Sequence, residues 1–497
     1  MTTLEVVPTG TIGLDEVLNG GLPARRLYLF QGDPGVGKTT MALRFLIAGA
    51  ERGESCLYVT LSETREELNG VAESHGWTLK DVHVYELSAA DSGPSEHDEN
   101  TLYVPAEVEL GERVLALLAE VDRVRPTRVV IDSCSELRLL AQNPLRFRRQ
   151  LLALKEQLVR RNCTILLLEN PTSTGGDPLL QSLVHGVIVM EQLAPLYGAE
   201  RRRLRVVKLR EVSYRGGFHD MVIRKGGVIV YPRLVAADHH QPFSAEVIKS
   251  GVPELDSLLG GGLDRGTSAL LTGPTGSGKS TIAIQYSVAA AMRGEFVAYF
   301  TFDESVATLR SRAAGLNLSL EPHIESGLVH VQQVDPAELP PGEFVHIVRE
   351  AVEKQNAKII VIDSLNGFLQ AMPEEHYLEV QLHEQLSYLR QHGVVTLLLM
   401  AQHGFVGNME GPLDVSYLAD TVLVTRYFEA AGRVRKALSV LKKRTGTHED
   451  TIREFALNSR GLRVGRPLTN FHGVLTGVPE YDGNESAALL EKAGLER

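Results

Sequence analysis

Apolar and polar positions along the chain keep switching between two rhythms. Short apolar runs (Leu27 to Phe30, Cys56 to Leu61, Thr164 to Leu168) alternate with longer stretches in which apolar residues recur at helical spacing, as from Leu145 to Arg160. Continuous apolar runs of strand length read as buried strands, and the longer periodic stretches as amphipathic helices. Their alternation predicts an α/β fold with a mainly parallel twisted sheet and helices on both faces. The rhythm then starts again, with strands at Ala269 to Leu271 and Val394 to Met400 and a helix from Tyr377 to Gln391. No apolar run approaches the ~20 residues that a membrane span needs.

The second half repeats the first in detail. Thr9-Gly10-x-x-Gly13-Leu14-Asp15 returns as Ser250-Gly251-x-x-Glu254-Leu255-Asp256, and one offset of 241 residues relates Gly10 to Gly251, Gly32 to Gly273 and Glu63 to Glu304. An ungapped match of that length predicts two copies of one domain. A second repeated pair follows the last core strands: Lys208-Leu209-Arg210 and Lys442-Lys443-Arg444, here 234 apart. The expected division is an N-terminal domain over 1–237, a linker over 238–245, a C-terminal domain over 246–476 and a tail over 477–497. In the linker, His239 and His240 have no Cys or acidic residue spaced to complete a metal site, so a solvated connection is expected. Residues 89–101 read as a solvated loop, and the tail as a frayed end with a helix from Glu485 to Glu496.

Composition narrows the class. At 497 residues, 43% hydrophobic and 23% charged, the chain has a globular composition and is too long for one ordinary core. A net charge of −11 argues against an electrostatic grip on nucleic acid, and Arg201-Arg202-Arg203 is the one dense basic run. Cys56, Cys134 and Cys163 stand at no metal-ligand spacing and read as reduced thiols. The N-terminal residues have neither the basic start nor the apolar core of a signal peptide, so a cytoplasmic protein is expected.

The candidate chemistry lies where predicted strands end. Gly32-Asp33-Pro34-Gly35-Val36-Gly37-Lys38-Thr39 and Gly273-Pro274-Thr275-Gly276-Ser277-Gly278-Lys279-Ser280 both read G-x-x-x-x-G-K-[ST]. Each lies between a predicted strand and a helix opening at Thr40 or Thr281, the context a phosphate-binding P-loop requires. Its glycines let backbone N–H groups wrap the phosphates, its lysine reaches the outer ones, and its hydroxyl holds magnesium. Arg128 to Ser133 and Lys358 to Ser364 read as Walker B strands whose Asp132 and Asp363 complete the Mg2+ set with Thr39 and Ser280. Glu63 ends the second strand of the first copy, and Asp303-Glu304 that of the second; these carboxylates are placed to activate water. Thr64 to Glu67 fits a capping box, which makes Glu66 and Glu67 helix-start residues. A solvated strand end would account for one such pair, but the recurrence of Lys208 and Arg210 as Lys442 and Arg444 favours a role at a neighbouring subunit's nucleotide.

Together, the Gly-x-x-Gly/Glu-Leu-Asp openings, the two P-loops, Thr-Leu-Ser-Glu-Thr, Thr-Phe-Asp-Glu-Ser, the Ile-Asp-Ser strand ends and the Lys-x-Arg pairs give a specific signature. The chain resembles the KaiC family of circadian-clock ATPases, within the RecA-like superfamily, from about Val7 to Pro479. The resemblance implies two stacked RecA-like P-loop domains per subunit, an ATP-dependent homohexamer with nucleotides between subunits, slow ATP hydrolysis, and serine autophosphorylation in the C-terminal domain. It adds Leu209, Lys443 and His448 to the nucleotide contacts and implies signalling-protein partners. Departures are visible. Where the family has two adjacent glutamates, this chain has Ser62-Glu63 and Asp303-Glu304. Ser416-Tyr417 stand where the family carries a phosphorylated pair, so Ser416 is either a phosphoacceptor or an ordinary loop serine. Tyr214 replaces a histidine that the second copy keeps as His448. Two rivals remain: a RecA- or RadA-type DNA-dependent ATPase, and a nucleotide-switched signalling scaffold with little turnover.

Overall fold

The computed structural model describes residues 5–87, 106–141, 143–170, 178–195, 197–370, 378–402, 416–430, 432–475 and 479–481. The loop expected at 89–101 and the helix expected from Glu485 to Glu496 lie outside them. The chain divides into two compact units, residues 1–233 and 234–497.

The first unit is built on a nine-stranded sheet. From one edge the strands run Gly227–Tyr231, Phe218–Arg224, Arg201–Leu209, Gly186–Leu193, Leu27–Gly32, Thr164–Glu169, Arg128–Asp132, Cys56–Thr60 and His83–Glu86. Gly186–Leu193 and the strands listed after it pair in parallel, while the three before it are antiparallel. Successive residues of a strand point to opposite faces, and here both faces are covered. Tyr28, Phe30, Tyr58, Val130, Leu166 and Leu168 join one core. Their neighbours Leu27, Leu29, Leu57, Val129, Ile165 and Leu167 join another. Burial on both faces is why these strands read as unbroken apolar runs.

The second unit repeats this plan, in the order Val329–Gln333, Val297–Thr301, Ile359–Asp363, Val395–Ala401, Ser268–Gly273, Thr421–Ala430, Arg433–Lys443, Arg453–Asn458 and Gly461–Pro467. In both units the sheet is mainly parallel with an antiparallel extension. In the hairpins of the extension, Phe218–Arg224, Arg453–Asn458 and Gly461–Pro467 mix polar with apolar residues, while Gly227–Tyr231 is apolar and mostly buried.

Three local features have clear causes. The expected capping box is present: Glu67 N donates to Thr64 Oγ1 at 3.2 Å, and Thr64 N donates to Glu67 Oε2 at 2.7 Å. Arg128, fully buried, pairs with Glu54 at 2.7 Å and donates to the carbonyls of Pro8 and Phe45. It ties the first Walker B strand to the end of the P-loop helix. The segment around His239 packs on the second unit: Ala236 N donates to Glu384, and the His239 ring meets Tyr388 edge-on at 5.3 Å. The contact arises because the ring finds an aromatic surface there, which spacing alone does not show. All three cysteines are buried and unpaired by disulfides, and burial pushes the Cys56 thiol up to about 12.

Candidate functional site

Each P-loop joins a central parallel strand to the helix behind it. Leu27–Gly32 leads through the loop into the helix Lys38–Ala50, and Ser268–Gly273 into Lys279–Met292. Gly37 and Gly278 both have φ near 108°, a left-handed conformation that glycine alone adopts without strain. The space is also closed to a side chain. A Cβ at Gly37 would lie 2.9 Å from Ile223, and one at Gly278 2.9 Å from Phe455. The antiparallel extension thus supports the loop from beneath. Neither helix has a side-chain N-cap, so its first N–H groups remain for a ligand anion.

Within the loops, Lys38 Nζ donates to the carbonyls of Gly32 at 2.6 Å and Asp33 at 2.9 Å, and Lys279 does the same to Gly273 and Pro274. Burial lowers both lysines, Lys279 to about 8. Phosphate binding favours the protonated amine. Nucleotide affinity at the second copy should therefore be full below pH 8 and weaken as the pH rises beyond it, which a nucleotide titration of a Lys38→Ala protein between pH 7 and 9.5 would read. Val36, Thr40, Ser277 and Thr281 are buried and brace the loops; Ser277 shares a 2.6 Å hydrogen bond with Thr425. In the second copy Tyr427 donates to the Thr275 carbonyl at 3.1 Å and Lys436 to that of Gly276 at 3.0 Å.

The acidic residues gather at the same C-terminal ends of the parallel strands, where such sheets place ligands. Thr39 Oγ1 donates to Asp132 Oδ2 at 3.2 Å, and Tyr58 donates to the same oxygen at 2.6 Å. Tyr299 treats Asp363 alike, at 2.6 Å. Burial raises both aspartates, while these hydroxyls and the P-loop lysines hold them down; at Asp363, Ser280 and the charge of Arg312 contribute as well. A hydroxyl beside one carboxylate suits Mg2+, which takes most of its remaining ligands from phosphates and water. Among the described residues no group of three or more His, Cys, Asp or Glu could hold a metal ion.

Thr60 fixes the turn at Glu63, accepting from its N–H at 2.9 Å and donating to its carbonyl at 2.6 Å, and Thr301 does so for Glu304. Glu63 Oε2 is buried with no hydrogen-bond partner. Burial first, then the charges of Asp132 and Glu67, raise its carboxyl. Glu304 is also raised by burial, but Arg312 Nη2 stands 2.8 Å from its Oε2. Asp303 accepts a hydrogen bond from Ser364, next to the Walker B aspartate.

The Lys-x-Arg pairs lie elsewhere. Lys208 is paired opposite Val187, near the start of a strand whose Met190 lies opposite Gly32. The pair therefore sits toward the end of the sheet away from its own P-loop. Lys208 donates to the Gln181 carbonyl at 2.5 Å, and Lys442 to those of Ser416 and Ala419. Arg210 is exposed. Arg444 pairs with Asp420 at 3.4 Å and donates to the Tyr417 carbonyl. Leu209 is buried, and Lys443 donates to the carbonyls of Leu259 and Gly262 in its own domain. His448 is half-buried beside Gly260.

Several residues here escaped the sequence reading. Tyr58 and Tyr299 hold the same place in the two copies, and the 241-residue offset that relates the P-loops marks them too. In the first copy a buried chain also runs beside the P-loop. Gln31 donates to Glu169 at 2.6 Å, Glu169 pairs with Arg138, and Gln181 donates to Gln31 at 2.8 Å.

The duplicated sheets, the glycine-shaped loops with inward-folded lysines, and the hydroxyl-bound aspartates together define a tandem RecA-like P-loop ATPase. The KaiC ATPase family profile matches residues 7–235 and again 248–469. The chain therefore belongs to the KaiC ATPase family and binds ATP. It is 25% identical over 496 residues to the circadian clock protein KaiC3 of Synechocystis sp., covering 98% of this chain and 97% of that one. It is 27% identical to KaiC2 of the same organism over 482 residues, 95% of this chain and 83% of the relative. To the circadian clock oscillator protein KaiC of Parasynechococcus marenigrum it is 26% identical, across 98% and 96%. No helix among the described residues is long and apolar enough to cross a membrane.

Proposed function

We propose that the chain is an ATP-dependent homohexamer that hydrolyses ATP slowly at sites shared between neighbouring subunits and phosphorylates itself on Ser416. The observation that carries the hydrolytic part is the Glu63 carboxylate, buried without a partner beside the Thr39–Asp132 pair. Lys38 and the free N–H groups of its helix hold the triphosphate; Thr39 and Asp132 hold Mg2+, with Lys279, Ser280 and Asp363 in the second copy. The metal, when bound, neutralises charge on the phosphate oxygens. Glu63 orients a water and takes its proton, and Glu304 serves the second copy. Cations toward the far end of the sheet cannot serve their own nucleotide, so Lys208, Arg210, Lys442 and Arg444 act on the neighbour's. Lys442 and Arg444 also hold the carbonyls of Ser416 and Tyr417, which supports an ordered acceptor segment at that edge.

Native mass measurement with and without ATP should show six copies only with nucleotide, and fragment mass analysis after incubation should place phosphate on Ser416. A single-copy mass at saturating ATP would rule out the shared sites, and unmodified Ser416 would rule out the kinase part.

A further inference from the structure

The two copies keep their strand-end glutamates in different company. The helices that follow, Arg65–Ser74 and Val306–Gly315, share one register: Leu68 and Ala72 are buried in the first, Leu309 and Ala313 in the second. At the 241-residue offset, Arg312 thus occupies the place of Val71. Val71 packs against the first core and brings no charge, which leaves Glu63 Oε2 without a partner. Arg312 instead faces Glu304 at 2.8 Å, the two side chains being 31% and 20% exposed. Its Nε and Nη2 are both buried and make no well-directed hydrogen bond, so the close ion pair with Glu304 is the charge contact that faces the guanidinium.

We propose that Arg312 is a positioning residue that holds the Glu304 carboxylate away from the attacking water and so slows hydrolysis at the second copy. The inference rests on the reading of Glu63 and Glu304 as water-activating groups. A base must present a lone pair to water and accept its proton; a carboxylate engaged by arginine does both less readily. Separating the pair is costly because both charges are partly desolvated. Valine in the first copy imposes no such restraint.

The test isolates each copy in the full chain by disabling the other P-loop. In a Lys38→Ala background, Arg312→Val should raise kcat about three- to tenfold with KM little changed, a fraction of what a positioned base contributes. Arg312→Lys, which retains the charge, should restore the slow rate. The near-isosteric Arg312→Gln should match the valine variant and stands in for it if that protein does not fold. Conversely, Val71→Arg in a Lys279→Ala background should slow the first copy by a similar factor. An unchanged or lower kcat in both Arg312→Val and Arg312→Gln, with nucleotide still bound, overturns the assignment. Loss of all turnover in Lys279→Ala alone would instead overturn the reading of Glu63, so the two failures are separable.

Discussion

Replacing Lys38 or Lys279 with alanine should weaken nucleotide binding at one site about a hundredfold, roughly the 3 kcal/mol of a charge-assisted contact in a buried setting. In the described structure each ammonium is spent on two loop carbonyls and is buried beside the Walker B carboxylate. A triphosphate draws it out of those bonds. Without the amine, the loop keeps its glycine-defined shape, and the N–H groups remain as a weak anion site. Equilibrium binding of a fluorescent ATP analogue should then show half the wild-type stoichiometry for either single variant. The double variant should show no turnover above background; full turnover from it would refute the assignment of both P-loops.

The second large effect is expected from Arg210→Ala, which should leave binding near wild type while slowing first-copy hydrolysis, read in a Lys279→Ala background, by about 10³ to 10⁵, the range a finger-type cation supplies. Arg210 is exposed, follows the strand Arg201–Leu209, and lies toward the end of the sheet away from its own P-loop. A cation so placed gains its effect only where a second subunit meets that edge. Mixing Arg210→Ala with Lys38→Ala subunits provides the decisive measurement: mixed rings should recover part of the first-copy activity, because some interfaces pair an intact lysine with an intact arginine. Absence of recovery in rings shown to be mixed would mean that the arginine acts elsewhere.

Most of the parallel sheet was legible because its strands are buried on both faces, so the apolar runs from Leu27, Arg128 and Thr164 stood out. The antiparallel strand Phe218–Arg224 did not, since His219, Asp220 and Arg224 interrupt its apolar residues, although its partner Gly227–Tyr231 is an apolar and mostly buried run. The P-loops and their aspartates were legible because phosphate chemistry fixes residue types at fixed spacing. Partners chosen by three-dimensional proximity were not. Arg128 reads as the polar edge of an apolar strand, yet it is fully buried against Glu54. Arg312 looks like one more charge on a surface helix until the turn brings it back to Glu304. Lys443 belongs to the Lys-Lys-Arg motif, but strand alternation turns it toward the loop at Gly262, while Lys442 and Arg444 face the Ser416–Asp420 segment.

The chain of polar contacts from Arg138 through Glu169, Gln31 and Gln181 to Lys208 runs from beside the P-loop to the strand that Arg210 follows. Gln31 immediately precedes Gly32, so movement of the loop around a ligand strains a network whose last member is a cation on the opposite side. The second copy has Thr272 and Met400 in the places of Gln31 and Glu169 and cannot form the same links. These contacts therefore connect the first P-loop to Lys208 at the far edge of its own domain, a connection the second copy does not make by this route. If subunits meet at that edge as proposed, only the first copy carries a polar path from its P-loop to the cation at the contact.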